Sequence, residues 1–357
     1  MTIESPDRDV ISVQMLRAIA ATMVVFVHMD LQLQRLHYPT LGTNWMASGV
    51  DIFFVISGFI MWTSVERRPD ITAGSFFRNR LIRIVPLYWF ATTLVLLVAV
   101  IAPQILNTTV LRPWHAIASY LFIPARHPTT GLYWPLLIPG WSLNYEMLFY
   151  AIFAIAIALS GQLRARRFLL IAAMLGGIVI VANLTKRRFD LMNFYANPVM
   201  LEFVAGIGLG IWWRSKTVRR SWRWLAIIVA GFFCLWTGAA RDGGFPLTAL
   251  GATMIVAGAI LLPPLPHNPL SSLGDASYSL YLTHVMSLSA VALIWRHLFV
   301  HLDWRLFILT GLTGSIIVAM IMYRAFEVPM TAALKRRFSR RRPVPGGPAT
   351  VSGAPAP

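Results

Sequence analysis

Apolar runs of about twenty residues recur along this chain, and they leave few folds open to it. A helix rises about 1.5 Å per residue, so a run of that length matches the roughly 30 Å hydrocarbon core of a bilayer. Ten such runs can be read, at about 11–29, 45–64, 81–102, 141–160, 168–184, 196–213, 222–240, 244–262, 276–297 and 304–327. Lipid offers no partner to a peptide N–H or C=O, so each run must satisfy its backbone internally, as a helix does. With 57% hydrophobic and 13% charged residues, the chain has too little polar surface for a soluble domain of its size. The expectation is an all-α, polytopic transmembrane bundle of about ten helices.

The net charge of +17 does not point to nucleic acid, because the basic residues cluster in short segments between apolar runs. One set holds Arg67, Arg68, Arg78 and Arg80, then Arg164, Arg166 and Arg167, then Arg214, Lys216, Arg219, Arg220 and Arg223, and finally the run from Lys335 to Arg342. The alternate segments are poorer, with Arg35, Arg112, Arg126 and Arg241; Lys186, Arg187 and Arg188 break the pattern. Lys and Arg favour the cytoplasmic side, so both termini are expected there. Residues 1–10 form a cytoplasmic segment, without the features of a cleavable signal, and residues 11–329 the membrane domain. Residues 330–357 are a basic, then Pro/Gly-rich tail whose last part, from Pro343, is expected to be disordered. The stretch 113–123 is too short to span, and the aromatic, Pro-rich segment around it is left without an assigned structure. One cysteine, Cys234, excludes an internal disulfide.

Ionisable residues inside membrane helices are costly, which marks them as functional candidates. Arg17 and His28 are eleven residues apart in the first run. Eleven steps of about 100° return almost to the starting angle, and they span roughly 16 Å. The two therefore share one helix face, Arg17 toward the cytoplasm and His28 deeper. Arg80 and Arg83 open the third run on the cytoplasmic side, and three arginines at one face suit a phosphate-rich ligand. Asp51 begins the second run and Glu146 the fourth, both from the outer side, where His28 is also expected. A histidine with a carboxylate partner can take a proton from a hydroxyl group. His284 lies in the ninth run and Glu327 ends the tenth. No Gly-rich phosphate loop is present, and no His/Cys/acidic cluster has metal-ligand spacing, so no metal is expected.

These residues fall in patterns that resemble the integral-membrane acyltransferase 3 family, and the bacterial branch that modifies exopolysaccharide and lipopolysaccharide O-antigen. Arg17 and His28 match its Arg-ten residues-His motif. Gly49 to Phe59 match its Gly-Val-Asp segment ending Ser-Gly-Phe, which contains Asp51 and Ser57. Arg80, Arg83, Pro86 and Tyr88 match its Arg-x-x-Arg stretch, and Trp141 to Glu146 its Trp-Ser-Leu segment. Ser277 to His284, including Tyr278, match a late Ser-Tyr-Ser-Leu-Tyr-Leu-x-His pattern, and Glu327 to Pro329 a Glu-x-Pro.

The resemblance implies transfer of an acyl group, usually acetyl, from cytoplasmic acyl-CoA to a sugar hydroxyl of a cell-surface polysaccharide or its lipid-linked precursor. The expected place is the bacterial inner membrane, near polysaccharide-assembly machinery. It implies His28, Glu146 and Asp51 as catalytic, Arg17, Arg80, Arg83 and Tyr88 as acyl-CoA-binding, and Ser57, Trp141, Tyr278, His284 and Glu327 as supporting residues. Acyl-CoA is then a substrate, and no permanently bound cofactor is expected. Direct transfer and an acyl-histidine intermediate both remain open. The rival from another class is a transporter or flippase for a lipid-linked sugar, which the absence of an internal repeat disfavours. A small-molecule acceptor such as a macrolide is the alternative within the family.

Overall fold

The computed structural model describes residues 11–102, 111–186, 188–215, 220–241 and 244–339, so the expectations for residues 1–10 and for the tail beyond 339 lie outside it. Regular structure among the described residues is entirely helical. The long helices are α1 (Ile11–Arg35), α2 (Gly49–Glu66) and α3 (Ala73–Ile101). A short α4 (Pro113–Tyr120) precedes α5 (Gly140–Ser160) and α6 (Arg164–Thr185), and a short α7 (Asp190–Tyr195) precedes α8 (Leu201–Ser215). Then come α9 (Leu225–Ala239), α10 (Phe245–Ile260), the short α11 (Pro269–Asp275), α12 (Ser277–Leu298), α13 (Trp304–Met322) and α14 (Val328–Ser339).

Eight of these helical stretches are long and apolar enough to cross a membrane. α8 and α10, with 15 and 16 residues, are shorter but occupy two of the expected runs. Leu97, Val100, Leu184, Val229 and Leu309 stand on the outer surface, each roughly half or more exposed. So much large apolar side chain facing outward suits lipid and not water. The chain is a multi-pass membrane protein.

Two helices outrun their apolar stretches. α3 starts at Ala73 because Thr72 and Ser75 close a capping box, which satisfies the first free N–H groups before the apolar part begins. Its early turns therefore display Arg78, Arg80 and Arg83 on a rigid helix. At the other end of the chain, α13 passes through a π-helical turn (Tyr323–Glu327) into α14, so the basic segment after 329 is helical as far as Ser339. Such turns insert one extra residue and re-aim side chains. Here the turn presents Glu327 inward, 7% exposed, where it accepts from Ser279 Oγ at 2.6 Å.

The two ends of the bundle differ. At one end lie the start of α1, the start of α3, and the α2–α6 junction, where Glu66 receives Arg164 at 2.6 Å and Arg167 at 3.3 Å. α14 belongs to the same end, since the Arg78 guanidinium lies 5.6 Å from the Phe338 ring centre. At the opposite end α1 closes with a return loop, tied down by Asp30, which accepts from Leu41 N at 2.7 Å and Thr43 N at 3.3 Å. There the segment left unassigned by sequence folds back on α3, with Trp89 Nε1 donating to Tyr120 O at 2.9 Å. Arg126 in that segment is matched by Asp190.

Candidate active site

Arg17, Arg80 and Arg83 converge on one cavity of about 330 Å³, which also reaches Ser57, Glu146, Tyr150, Tyr278 and Tyr281. Its walls come from α1, α2, α3, α5 and α12, and Phe53 and Tyr281 stand edge to face at its deeper part, ring centres 5.9 Å apart. Arg17 donates to Gln14 Oε1 at 3.0 Å, and Arg80 lies 5.6 Å from the Phe76 ring centre. Among the described residues, no carboxylate comes within 4 Å of any of these three guanidinium groups. Arg80 Nε is buried without a hydrogen-bond partner there. Three cations on one cavity wall with no contacting counter-ion form a site for an anion.

Glu146 lines that same cavity. It accepts from Ser57 Oγ at 3.2 Å and from the Tyr150 hydroxyl one helical turn on. The neighbouring Tyr278 donates to the Ile84 carbonyl at 2.7 Å, which fixes α12 against α3 just before Pro86. Glu327 sits close enough to Arg17 and Arg83 to act on both electrostatically, without touching either.

His28 lies outside the cavity wall, on the far side of Tyr281. The Tyr281 ring centre is 6.1 Å from that of His284, which in turn is 4.7 Å from that of His28. His284 Nε2 is 3.2 Å from His28 Nδ1. α1 runs unbroken from Arg17 past His28, so the two keep the shared face and the roughly 16 Å offset that the helix repeat requires.

Four expected placements differ from the structure. Among the described residues neither Glu146 nor Asp51 forms a hydrogen bond to His28, whose side-chain partner is His284. Glu146 belongs with the arginine cavity, and the carboxyl of Asp51 meets that of Glu202 on α8. Tyr88, expected at the donor site, does not line the cavity: it is fully buried, and its hydroxyl donates to Ser119 O at 2.9 Å. A motif match names a helix but not which way a side chain faces, and Tyr88 lies on the side of α3 that holds the folded-back segment. Trp141 is likewise off the cavity, edge to face with Tyr145 at 6.1 Å. Tyr88→Phe should then cost about 1 kcal/mol of stability, the usual worth of one hydrogen bond, and leave the KM for the donor unchanged. A raised KM in that variant would return Tyr88 to the donor site.

Two cavity residues and a buried acid beside Asp51 escaped the sequence reading although a signal existed. Gln14 is three residues before Arg17, and Tyr150 four after Glu146, both spacings that share a helix face. Glu202 is a buried acid inside an apolar run, itself a flag in a membrane.

An anion cavity at one end and an imidazole pair deeper along the same helix, His284 buried and His28 half-buried, suit group transfer from a charged donor. Comparison with known proteins decides the class, because the model of the acyltransferase domain matches residues 10–324. The chain belongs to the acyltransferase 3 family. The exopolysaccharide production protein ExoZ of Rhizobium meliloti (strain 1021) is 39% identical over 72% of this chain and 80% of its own length. Nodulation protein 10 of Rhizobium leguminosarum bv. viciae is 27% identical over 91% of the chain and 95% of its own. Acyltransferase MdmB of Streptomyces mycarofaciens is 24% identical, with 88% and 86% covered. No solved structure matches. As a member of the acyltransferase 3 family, the protein places its Arg-ten residues-His motif along α1 so that the arginine reaches the cavity and the histidine the imidazole pair.

Proposed function

We propose that the protein transfers an acyl group, acetyl in the first instance, from cytoplasmic acyl-CoA to a hydroxyl of a cell-surface polysaccharide or of its lipid-linked precursor. The membrane is the bacterial inner membrane and both termini face the cytoplasm, as the distribution of Lys and Arg favours. The observation that carries the reading is the cavity with Arg17, Arg80 and Arg83 and, among the described residues, no carboxylate in contact with them. A polyphosphate donor would supply the missing charge, its phosphates held by the guanidinium forks. Its slender thioester arm would run past Glu146 and Tyr281 toward His28. The polysaccharide acceptor is supported by the likeness to ExoZ, an exopolysaccharide production protein.

In the transfer, His28 Nε2 takes the proton of the acceptor hydroxyl as that oxygen attacks the thioester carbon. The C–S bond breaks, and the departing thiolate takes the proton back from His28. No proton is gained or lost overall, so one imidazole suffices as base and then acid.

The test uses inverted inner-membrane vesicles from the host, which hold the protein and its own glycan acceptors, supplied with radiolabelled acetyl-CoA. Label should appear in alkali-labile ester on glycan, and vanish in vesicles from a strain lacking the gene. A transporter or flippase would move lipid-linked sugar without incorporating label. Arg17→Ala should raise the KM for acetyl-CoA by about tenfold or more while kcat changes little, because a lost charge-assisted contact of about 1.5–3 kcal/mol is lost from bound substrate and transition state alike. An unchanged KM would remove Arg17 from the donor site.

A further inference from the structure

We infer that His284 is a positioning residue for His28: it fixes the tautomer and ring orientation that leave His28 Nε2 as the free base. This rests on the transfer reading above and adds to it a residue whose work is done through another.

The argument is one of donors and acceptors. His284 Nδ1 lies 3.1 Å from the carbonyl oxygen of Leu280, one turn earlier in α12. A carbonyl only accepts, so Nδ1 must hold the hydrogen. In a neutral imidazole the other nitrogen, Nε2, is then an acceptor, and it is this atom that faces His28 Nδ1 at 3.2 Å. His28 Nδ1 is also 3.0 Å from the Val24 carbonyl, one turn earlier in α1. Its two neighbours are both acceptors, so His28 Nδ1 is the donor and its Nε2 must hold the lone pair. No hydrogen-bond partner meets His28 Nε2 among the described residues.

The rest of the surroundings hold His284 in place. It is fully buried, and the hydroxyl of Ser287 in the next turn lies within hydrogen-bond distance of the Thr283 and His284 carbonyls and of Ser315 Oγ on α13. The two rings stand at 75°, which points the Nε2 lone pair of one at the N–H edge of the other. His28 and His284 are 256 positions apart in the chain, so this contact exists only in the folded bundle. When His28 takes a proton at Nε2 it carries two N–H groups, and the His284 lone pair already faces the one that carries the extra charge inward. A second imidazole used as an acceptor thus does what a carboxylate does in many catalytic pairs, without placing a fixed negative charge in the bundle.

The experiment compares three substitutions in the vesicle assay, with protein in the membrane measured by immunoblot and rates normalised to it. His284→Gln keeps an amide oxygen at about the reach of the ring Nε2, and should hold kcat within about fivefold of wild type. His284→Leu removes the acceptor, and should lower kcat by about 100-fold, the scale of a misplaced general base, with the KM for acetyl-CoA unchanged. His284→Asn is polar but one methylene shorter, and should resemble Leu; it serves if the Leu variant does not reach the membrane. The inference is overturned if Leu or Asn keeps wild-type kcat, or if Gln is as slow as either of them, since a packing role would not separate Gln from Asn. If wild-type vesicles themselves transfer no label, the proposed function fails, a result distinct from any difference among the variants.

Discussion

His28→Ala should abolish acyl transfer, by about 10³-fold or more, while the donor still binds with its wild-type affinity. The two effects separate because the residues that meet the donor are not the residue that handles the proton. Arg17, Arg80 and Arg83 line the cavity, whereas His28 lies beyond Tyr281. General-base removal lies in the range of about 10²–10⁴, and loss of the acid that serves the leaving thiolate adds to it. Alanine also strands His284 Nε2, at about 1–3 kcal/mol for an unpaired buried acceptor. His28→Asn, whose side-chain amide falls at the place of the ring Nδ1 and keeps a donor toward that nitrogen, should therefore be as inactive as alanine but more stable. Binding of acetyl-CoA to the detergent-purified protein, measured beside transfer in vesicles, checks both halves. Full transfer by either variant would end the assignment of His28, and loss of donor binding would place it in the donor site.

How far this arrangement could be read from sequence depends on the range of each interaction. The helices were legible because lipid forces any sufficiently long apolar run to become one, and each of the ten expected runs holds a helix. The boundaries of α3 and α14 were not, since polar caps and a π-helical turn lie outside the apolar pattern. Arg17, Arg80 and Arg83 were grouped correctly at one face because helix phase and end-of-run position are local properties. The partner of His28 was beyond reach. A carboxylate was the chemical expectation, and Asp51 and Glu146 start their helices at the same end, but each faces another neighbour, Glu202 and Ser57. Which face of a helix meets which neighbour is set by packing between helices, and in a chain whose lipid-facing and core-facing residues are both apolar, periodicity carries little of that information. Small residues carry more of it, although their message is read only once the helices are docked.

Gly206 shows how strict that docking is. α8 crosses α2 so closely that a side-chain carbon built on Gly206 would fall on the Val55 carbonyl, and one on Gly58 would fall on the Phe203 carbonyl. A side-chain carbon built on Gly210, one turn along α8, would stand 3.1 Å from the Trp62 side chain. Backbone on both sides leaves nothing to rotate away, so a larger residue must push the helices apart. The cost extends to the site, because α2 carries Phe53 and Ser57 into the cavity and Ser57 donates to Glu146. Gly206→Leu is expected to lose more than about 3 kcal/mol, the upper range for overpacking, and to leave little monodisperse protein after detergent extraction. Gly208→Leu, two residues away, is the matched control: nothing lies within 4 Å of its built side-chain carbon, so the leucine would project into open space. It should change the thermal midpoint by no more than an ordinary surface substitution does, about 0.5 kcal/mol in either direction. Equal behaviour of the two variants would mean that α2 and α8 do not meet through these glycines, and the position of Ser57 beside Glu146 would have to be explained by another contact.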